Sequence, residues 1–271
     1  MTIIVATDLS TRSALALERA RQITSVEDIT LVHVVDADVS PHMLEAAKAA
    51  AETELRDVAR AASGNVAYEV AEGDVFATLP AVATARDASL IVAGDHRHSA
   101  VRDLFLDTTI ERLARCTKTP LLVVRRPVEK HYCTIVAGVE PETAAMVVDA
   151  VEQRDAFRDA ALLLVNAFDP VAKGFMAYAG ISPREIEVYR AEVATEARRA
   201  IETALGAAAP RHVVAVREGH PIPVLETVLE ESGADLIGLS ARTRSAVSRA
   251  LLGSVCAHFL RRGRTDVLII P

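Results

Sequence analysis

The run Ile3-Ile4-Val5-Ala6, followed by Thr7-Asp8, returns later in the chain as Thr134-Ile135-Val136-Ala137. The echo extends outward from there. Asp28 to Val34 (DITLVHV) matches Asp159 to Val165 (DAALLLV), and Gly73 matches Gly219. Ala88-Ser89-Leu90-Ile91 matches Ala234-Asp235-Leu236-Ile237, and Pro120 to Val124 matches Asp266 to Ile270. A chain that repeats itself in this way is built from two copies of one supersecondary unit. Within each copy, short β-branched runs alternate with longer helical patterns, reading β-α-β-α-β-α-β-α-β. Parallel strands joined by such helices need crossover connections, which are right-handed almost without exception. The expected fold is α/β: two tandem domains over residues 1–127 and 132–271, each with its own doubly wound, five-stranded parallel sheet.

Composition agrees with that reading. Hydrophobic residues make up 51% of the 271, yet aromatics are only 4% and Trp is absent, so the cores must be aliphatic. Parallel strands covered by helices on both faces have that composition. The net charge of −7 argues against a nucleic-acid partner, which needs clustered Lys and Arg. Arg261, Arg262 and Arg264 form a local exception, but at a predicted helix end they complement the helix dipole. Cys116, Cys133 and Cys256 are too few and too scattered for a disulfide framework or zinc site, which points to a reducing compartment. The chain moves from Met1 straight toward a strand without a basic leader. No apolar run reaches the roughly 18 residues that span a bilayer. The expectation is a soluble, cytoplasmic protein with no membrane partner.

Local signals mark the helices. Ser10 caps a first helix through Arg21, and Ser40-Pro41 supplies an N-cap and N1 proline for a second over Met43 to Ala62. Ser182-Pro183 repeats that signal before Ile186 to Ala209. Pro80 falls inside the third predicted helix, so that helix is kinked or starts near Thr78. The linker between copies is placed at Arg125 to Tyr132, and the second copy carries an insertion within Phe168 to Ser182, read as an ordered loop or short lid. The alanine-rich face of Met43 to Ala62 reads as sheet-packing surface, with a partner helix as the alternative.

Ligands of doubly wound sheets sit beyond the carboxyl ends of the strands, where strand order reverses. In copy one that edge carries Ala6-Thr7-Asp8-Leu9-Ser10, Gly94-Asp95-His96-Arg97 and Asp107-Thr108-Thr109. In copy two it carries Ala137-Gly138-Val139-Glu140, Ser240-Ala241-Arg242-Thr243 and Gly253-Ser254. At these residues the sequence resembles the universal stress protein family, twice over nearly the whole chain. The resemblance implies strand order 3-2-1-4-5, an adenine-nucleotide alpha-hydrolase-like (HUP) architecture and a role in stress adaptation. It also implies that the last strands, Leu121 to Val124 and Val267 to Ile270, join the copies in a pseudo-twofold pair. ATP-binding members carry an Asp after strand one and a G-x2-G-x9-G-[S/T] loop after strand four. Glycines let backbone amides approach phosphate, while the hydroxyl and helix start supply donors.

Neither copy carries that pattern in full. Copy one has Asp8, Gly94 and Thr108, with Arg97 and Asp107 replacing glycines; Asp107 reads as an N-cap that would repel phosphate, and Arg97 as its partner or as a phosphate ligand. Copy two has Gly253-Ser254, with Ser240 and Thr243 replacing glycines and Val139 read at the nucleoside Asp position. Arg242, Arg244 and Arg249 make its helix start anion-friendly, or else Ser254 is only a cap and Gly253 a turn residue. The residues leave the cofactor open; the resemblance points to ATP, AMP or another small anion.

Other constellations are weaker. His96, His98 and His42 fall short of a metal site, and His33 reads as a hydrogen-bonded interior residue. Cys256 reads as buried rather than reactive. No nucleophile elbow, P-loop or dinucleotide fingerprint is present. The reading is a non-enzymatic binding module with degenerate adenine-nucleotide sites. Its rivals are a slow ATPase, which needs a phosphate cradle and a metal-binding carboxylate in one copy, and a ligand-free scaffold for a protein partner. Association of two chains into a homodimer is left open.

Overall fold

The computed structural model describes residues 2–24, 28–62, 65–95, 109–154, 157, 159–168, 181–241 and 252–271. The first half runs β1 (Thr2–Ala6), α1 (Thr11–Ile23), β2 (Asp28–Val35), α2 (Pro41–Ala61), β3 (Val66–Glu72), α3 (Val75–Ala85), β4 (Ala88–Gly94), α4 (Thr109–Cys116) and β5 (Leu121–Val124). The second runs β6 (Thr134–Gly138), α5 (Pro141–Glu152), β7 (Ala161–Phe168), α6 (Pro183–Leu205), a 3-10 turn (Gly206–Arg211), β8 (Val213–Glu218), α7 (Pro221–Ser232), β9 (Leu236–Ser240), α8 (Ser254–Arg262) and β10 (Asp266–Ile270).

The expected caps are present. Ser10, Ser40 and Ser182 each accept from a first-turn amide, and Glu185 reaches back to the Ser182 amide at 3.0 Å. Gly73 and Gly219 share one backbone state, with φ of 131° and 135°, at the turns into α3 and α7. Only glycine takes that state without strain, which is why the residue recurs. Of the two expectations for Pro80, the start near Thr78 is not met: α3 begins at Val75 under an Asp74 cap and continues through the proline. The missing donor at Pro80 is tolerated because the helix is held by its buried residues Leu79 and Ala83. The insertion at 169–180 lies outside the described residues.

Within each half the strand order is 3-2-1-4-5, as β3-β2-β1-β4-β5 and β8-β7-β6-β9-β10. The two sheets are not separate, however. β5 and β10 pair antiparallel, with Val123 opposite Val267, Leu122 opposite Leu268 and Leu121 opposite Ile269, giving one ten-stranded sheet. The physical reason is that each is a sheet edge with unpaired backbone groups, and both are fully buried. Edge-to-edge pairing satisfies those groups and removes two hazardous edges at once. The pseudo-twofold pairing of the last strands is thus made in the plane of the sheet.

Successive strand residues point to opposite faces and feed two cores. Ile3, Val5, Leu55, Ile135, Val147 and Ile201 belong to the face covered by α1, α2, α5 and α6. Ile4, Leu79, Ile110, Val136, Leu225 and Phe259 belong to the face covered by α3, α4, α7 and α8. Because the halves are antiparallel, their carboxyl edges point to opposite ends of the sheet. The carboxyl edge of the first half lies at the same end as the amino edge of the second.

Candidate functional site

In the first half the edge is built on β1 and β4, neighbours that pair through Ala6 and Ala93. Strand order reverses between them. Thr7 continues the ladder, its amide donating to the Val32 carbonyl at 3.0 Å, and its own carbonyl is bonded to His33 Nδ1 at 2.8 Å. His33 is therefore hydrogen-bonded as expected, though half-buried rather than interior. Asp8 Oδ1 accepts from the Ser10 amide at 3.0 Å, and Thr7 Oγ1 accepts from the Leu9 amide at 3.0 Å. Those two bonds hold Leu9 at φ 66°, a left-handed state uncommon for a leucine. Asp8 is exposed at this edge, and Gly94 closes the neighbouring strand. Asp95 follows, its carboxylate 3.0 Å from Arg125 Nε. The structure brings Asp8 and Gly94 to one edge. Arg97, Thr108 and Asp107, together with His96 and His98, lie outside the described residues.

Strand register corrects the repeat itself. Ile3 pairs with Leu90 in the first half, and Ile135 pairs with Leu236 in the second. Leu90 and Leu236 are equivalent, so Ile3 corresponds to Ile135 rather than Thr134. The second strands move by two: Val35 accepts from Gly73 as Phe168 does from Gly219, which makes Asp28 the counterpart of Ala161 rather than Asp159. Val139 is therefore the counterpart of Thr7. Its amide donates to the Val165 carbonyl at 2.9 Å just as Thr7 does to Val32, and its side chain is buried. The residue standing where Asp8 stands is Glu140. A carboxylate follows the first strand in both halves.

Glu140 is also the N-cap of α5, because the turn after β6 is shorter than that after β1. Its amide donates to Thr143 Oγ1 at 3.1 Å. Its Oε2 lies 3.4 Å from Nδ2 of buried Asn166, which also donates to the Val139 carbonyl at 2.9 Å. Asn166 on β7 thus fixes the turn that presents Glu140. The sequence offered one signal for this residue: an acidic side chain directly before the proline that opens a helix.

The rest of the second edge follows β9, the neighbour of β6. Ser240 ends that strand, and its carbonyl accepts from Cys256 Sγ at 3.2 Å. Burial pushes the Cys256 thiol up to about 12, so it is a neutral core donor rather than a nucleophile. Gly253 is the N-cap of α8 with φ −59°, and Ser254 is its first helical residue. Ser254 is thus not the cap, which removes that reading of the pair. Gly253 offers no side chain to the first-turn amides, so an incoming anion would meet donors and the positive end of the helix dipole. Ser240, Gly253 and Ser254 are brought to one edge with Glu140. Thr243 and the arginines 242, 244 and 249 lie outside the described residues. Among the described residues no group of three His, Cys, Asp or Glu side chains is placed to hold a metal ion, and no helix is long and apolar enough to cross a membrane.

An α/β sheet whose two switch points each carry a carboxylate after the first strand defines the doubly wound class, whose ligands bind beyond the carboxyl ends of the strands. The family model described as universal stress protein family matches residues 1–125 and again 131–271. The chain belongs to the universal stress protein family and is a tandem member of it. A universal stress protein from Archaeoglobus fulgidus DSM 4304 superposes over 99% of this chain and 97% of its own, with TM-score 0.69 and 18% identity. A functionally unknown protein from Pseudomonas aeruginosa PAO1 covers 99% of this chain and 92% of its own, with TM-score 0.63 and 20% identity. These likenesses establish the shared fold. No curated protein is similar enough to match.

Proposed function

We propose that the chain is a cytoplasmic stress-adaptation module that binds an adenine nucleotide, ATP or AMP, without strong catalysis. Binding is weak and falls mainly to the second half. The observation that carries this reading is the placement of Glu140 and Gly253-Ser254 on the carboxyl edge of the same half, on neighbouring strands. The helix start takes the phosphate and Glu140 faces the nucleoside end. Ser240 and Thr243 stand where the ATP-binding pattern has glycines, and that substitution weakens the cradle. Asp8 and Gly94 mark a second site in the first half, altered by Arg97 and Asp107. Titration calorimetry with ATP and AMP tests the proposal: saturable binding should vanish in Gly253→Asp, where a carboxylate would sit at the helix start. Silence toward both nucleotides would move the reading to a ligand-free scaffold.

A second reading gains from the corrected register. A slow ATPase needs a carboxylate and a phosphate-binding helix start in one half, and Glu140 supplies that combination. Turnover of ATP that disappears in both Ser254→Ala and Glu140→Gln would favour the enzyme.

A further inference from the structure

The structure assigns a further anion site, apart from both strand-edge sites, to the junction between the halves. It is a cavity of about 670 Å³ lined by Arg126, Glu226, Glu230, Arg262, Arg264 and Thr265, among others. That volume suits a small organic ligand. Arg126 comes from the linker after β5, while Arg262 and Arg264 flank the turn between α8 and β10. Arg126 Nε donates to the Arg264 carbonyl at 3.3 Å, which ties the two segments together. Three arginines from two segments therefore line one space in a protein of net charge −7.

The simplest alternative is that these arginines only complement the carboxyl end of α8. The last carbonyls of that helix already have other donors. Arg125 donates to the carbonyls of Phe259, at 2.7 Å, and Leu260, and the Gly263 amide closes on Phe259 at 3.0 Å. Arg261, also in the last turn, pairs with buried Glu111 of α4 at 2.8 Å. Among the described residues, none of Arg126, Arg262 and Arg264 has a carboxylate partner. Of the acids in the lining, Glu226 is taken by His258 at 2.8 Å. Glu230 also lines the cavity, and among the described residues its carboxylate has no ion-pair partner. A guanidinium fork matches phosphate oxygens in paired hydrogen bonds. The ligand class is a small phosphorylated molecule: its phosphates meet the arginines, and a hydroxyl donates to Glu230.

Inorganic pyrophosphate is the probe, titrated into the full chain by calorimetry at fixed ionic strength. Saturable binding is expected, weakened about tenfold or more in Arg262→Gln and in Arg264→Gln. It should persist in Ser254→Ala and Asp8→Ala, which alter the strand-edge sites. Arg262 is exposed, and among the described residues its side chain makes no hydrogen bond or ion pair, so circular dichroism should show Arg262→Gln folded. Three results would overturn the assignment. They are no saturable binding, binding untouched by either arginine variant, and binding lost in Ser254→Ala but kept in Arg262→Gln. Because the strand-edge variants serve as controls, failure here is separable from failure of nucleotide binding.

Discussion

The Tyr132 hydroxyl donates a 2.6 Å hydrogen bond to Oδ2 of Asp266, joining the linker between the halves to the first residue of the last strand. Asp266 is fully buried, and its Oδ1 accepts from the amides of Arg125 and Arg126 at 2.8 and 3.2 Å. Arg19 Nε from α1 lies 3.6 Å from Oδ2, and the same guanidinium sits 4.1 Å from the centre of the Tyr132 ring. Tyr132 in turn packs against Phe157 of the second half. One carboxylate thus gathers α1, the end of β5, the linker and β10 into a single buried knot. A buried charge is tolerable only when it is paired and hydrogen-bonded this fully.

Removing one member should therefore cost more than an average surface change. Tyr132→Phe should lower unfolding stability by about 1–3 kcal/mol, because a buried acceptor loses its donor. Asp266→Ala should cost about 3–5 kcal/mol by stranding Arg19 and two amides. Burial first, and then the Asp266 charge, hold the phenol well above its ordinary 10.0, with the Arg19 charge opposing them. The folded state therefore keeps a proton that the unfolded state releases. Stability from this group is complete below 10.0 and falls as pH rises above it. Urea midpoints across that alkaline range should decline less steeply in Tyr132→Phe than in the parent; parallel curves would contradict the assignment.

Gly263 sits beneath Arg125. A Cβ there would lie 2.5 Å from the Phe259 carbonyl oxygen and 2.6 Å from Arg125 Nη1. Backbone cannot yield easily, so Gly263→Ala must displace the guanidinium that holds the last turn of α8. The expected loss is about 1–3 kcal/mol, the usual scale of overpacking. Thermal unfolding of the variant against Arg125→Gln and the double variant would show the coupling, since the second change should add little to the first.

Much of this architecture is legible in the sequence, and what is not has a physical reason. Aliphatic runs between capped helical stretches identify the first, second, fourth and fifth strands of each half, and Gly73 and Gly219 mark equivalent turns because backbone geometry demands them. Register is different. The triplet Ile-Val-Ala occurs in both first strands, at 4–6 and 135–137, and invites alignment one residue out of step. Both strands are apolar on both faces, so burial does not penalise the slip on paper, and it is the pairing to the neighbouring strands that resolves it. Joining of the two sheets was hidden for a related reason. The apolar character of Leu121 to Val124 and Val267 to Ile270 suits in-plane pairing and face-to-face packing equally. Nor does any local pattern announce a bond between Arg125 and Asp266, which lie 141 positions apart.

Asp235 should set part of the acid limit. Burial works against its charge, but the amides of Cys133 and Thr134, at 2.8 and 3.1 Å, and the Lys130 ammonium outweigh that and lower its pKa below the ordinary 3.8. A carboxyl depressed in the folded state contributes stability above 3.8 that is lost as pH falls through the folded value. Asp235→Asn should therefore be less stable near neutrality and should lose less on acidification over that window. Urea midpoints at descending pH measure both effects; an unchanged acid slope would show that the carboxylate does not anchor the start of β6.

The three cysteines should separate cleanly by reactivity. Cys116 and Cys133 are exposed, whereas Cys256 is buried against the Ser240 carbonyl with its thiol raised to about 12. Thiolate is the reacting species, so a group with that pKa presents almost none at neutral pH, and burial blocks the reagent as well. A disulfide reagent should titrate two thiols rapidly in the native protein and the third only after denaturation. Cys256→Ser would keep a donor to Ser240 but place a more polar group in the core beside the candidate helix start. It should destabilise the chain modestly while leaving the fast titration at two. If Cys256 instead reacted at the rate of the other two, α8 would have to open in the native state. The helix start at Gly253-Ser254 could not then be the rigid, preorganised anion platform that the proposed site requires.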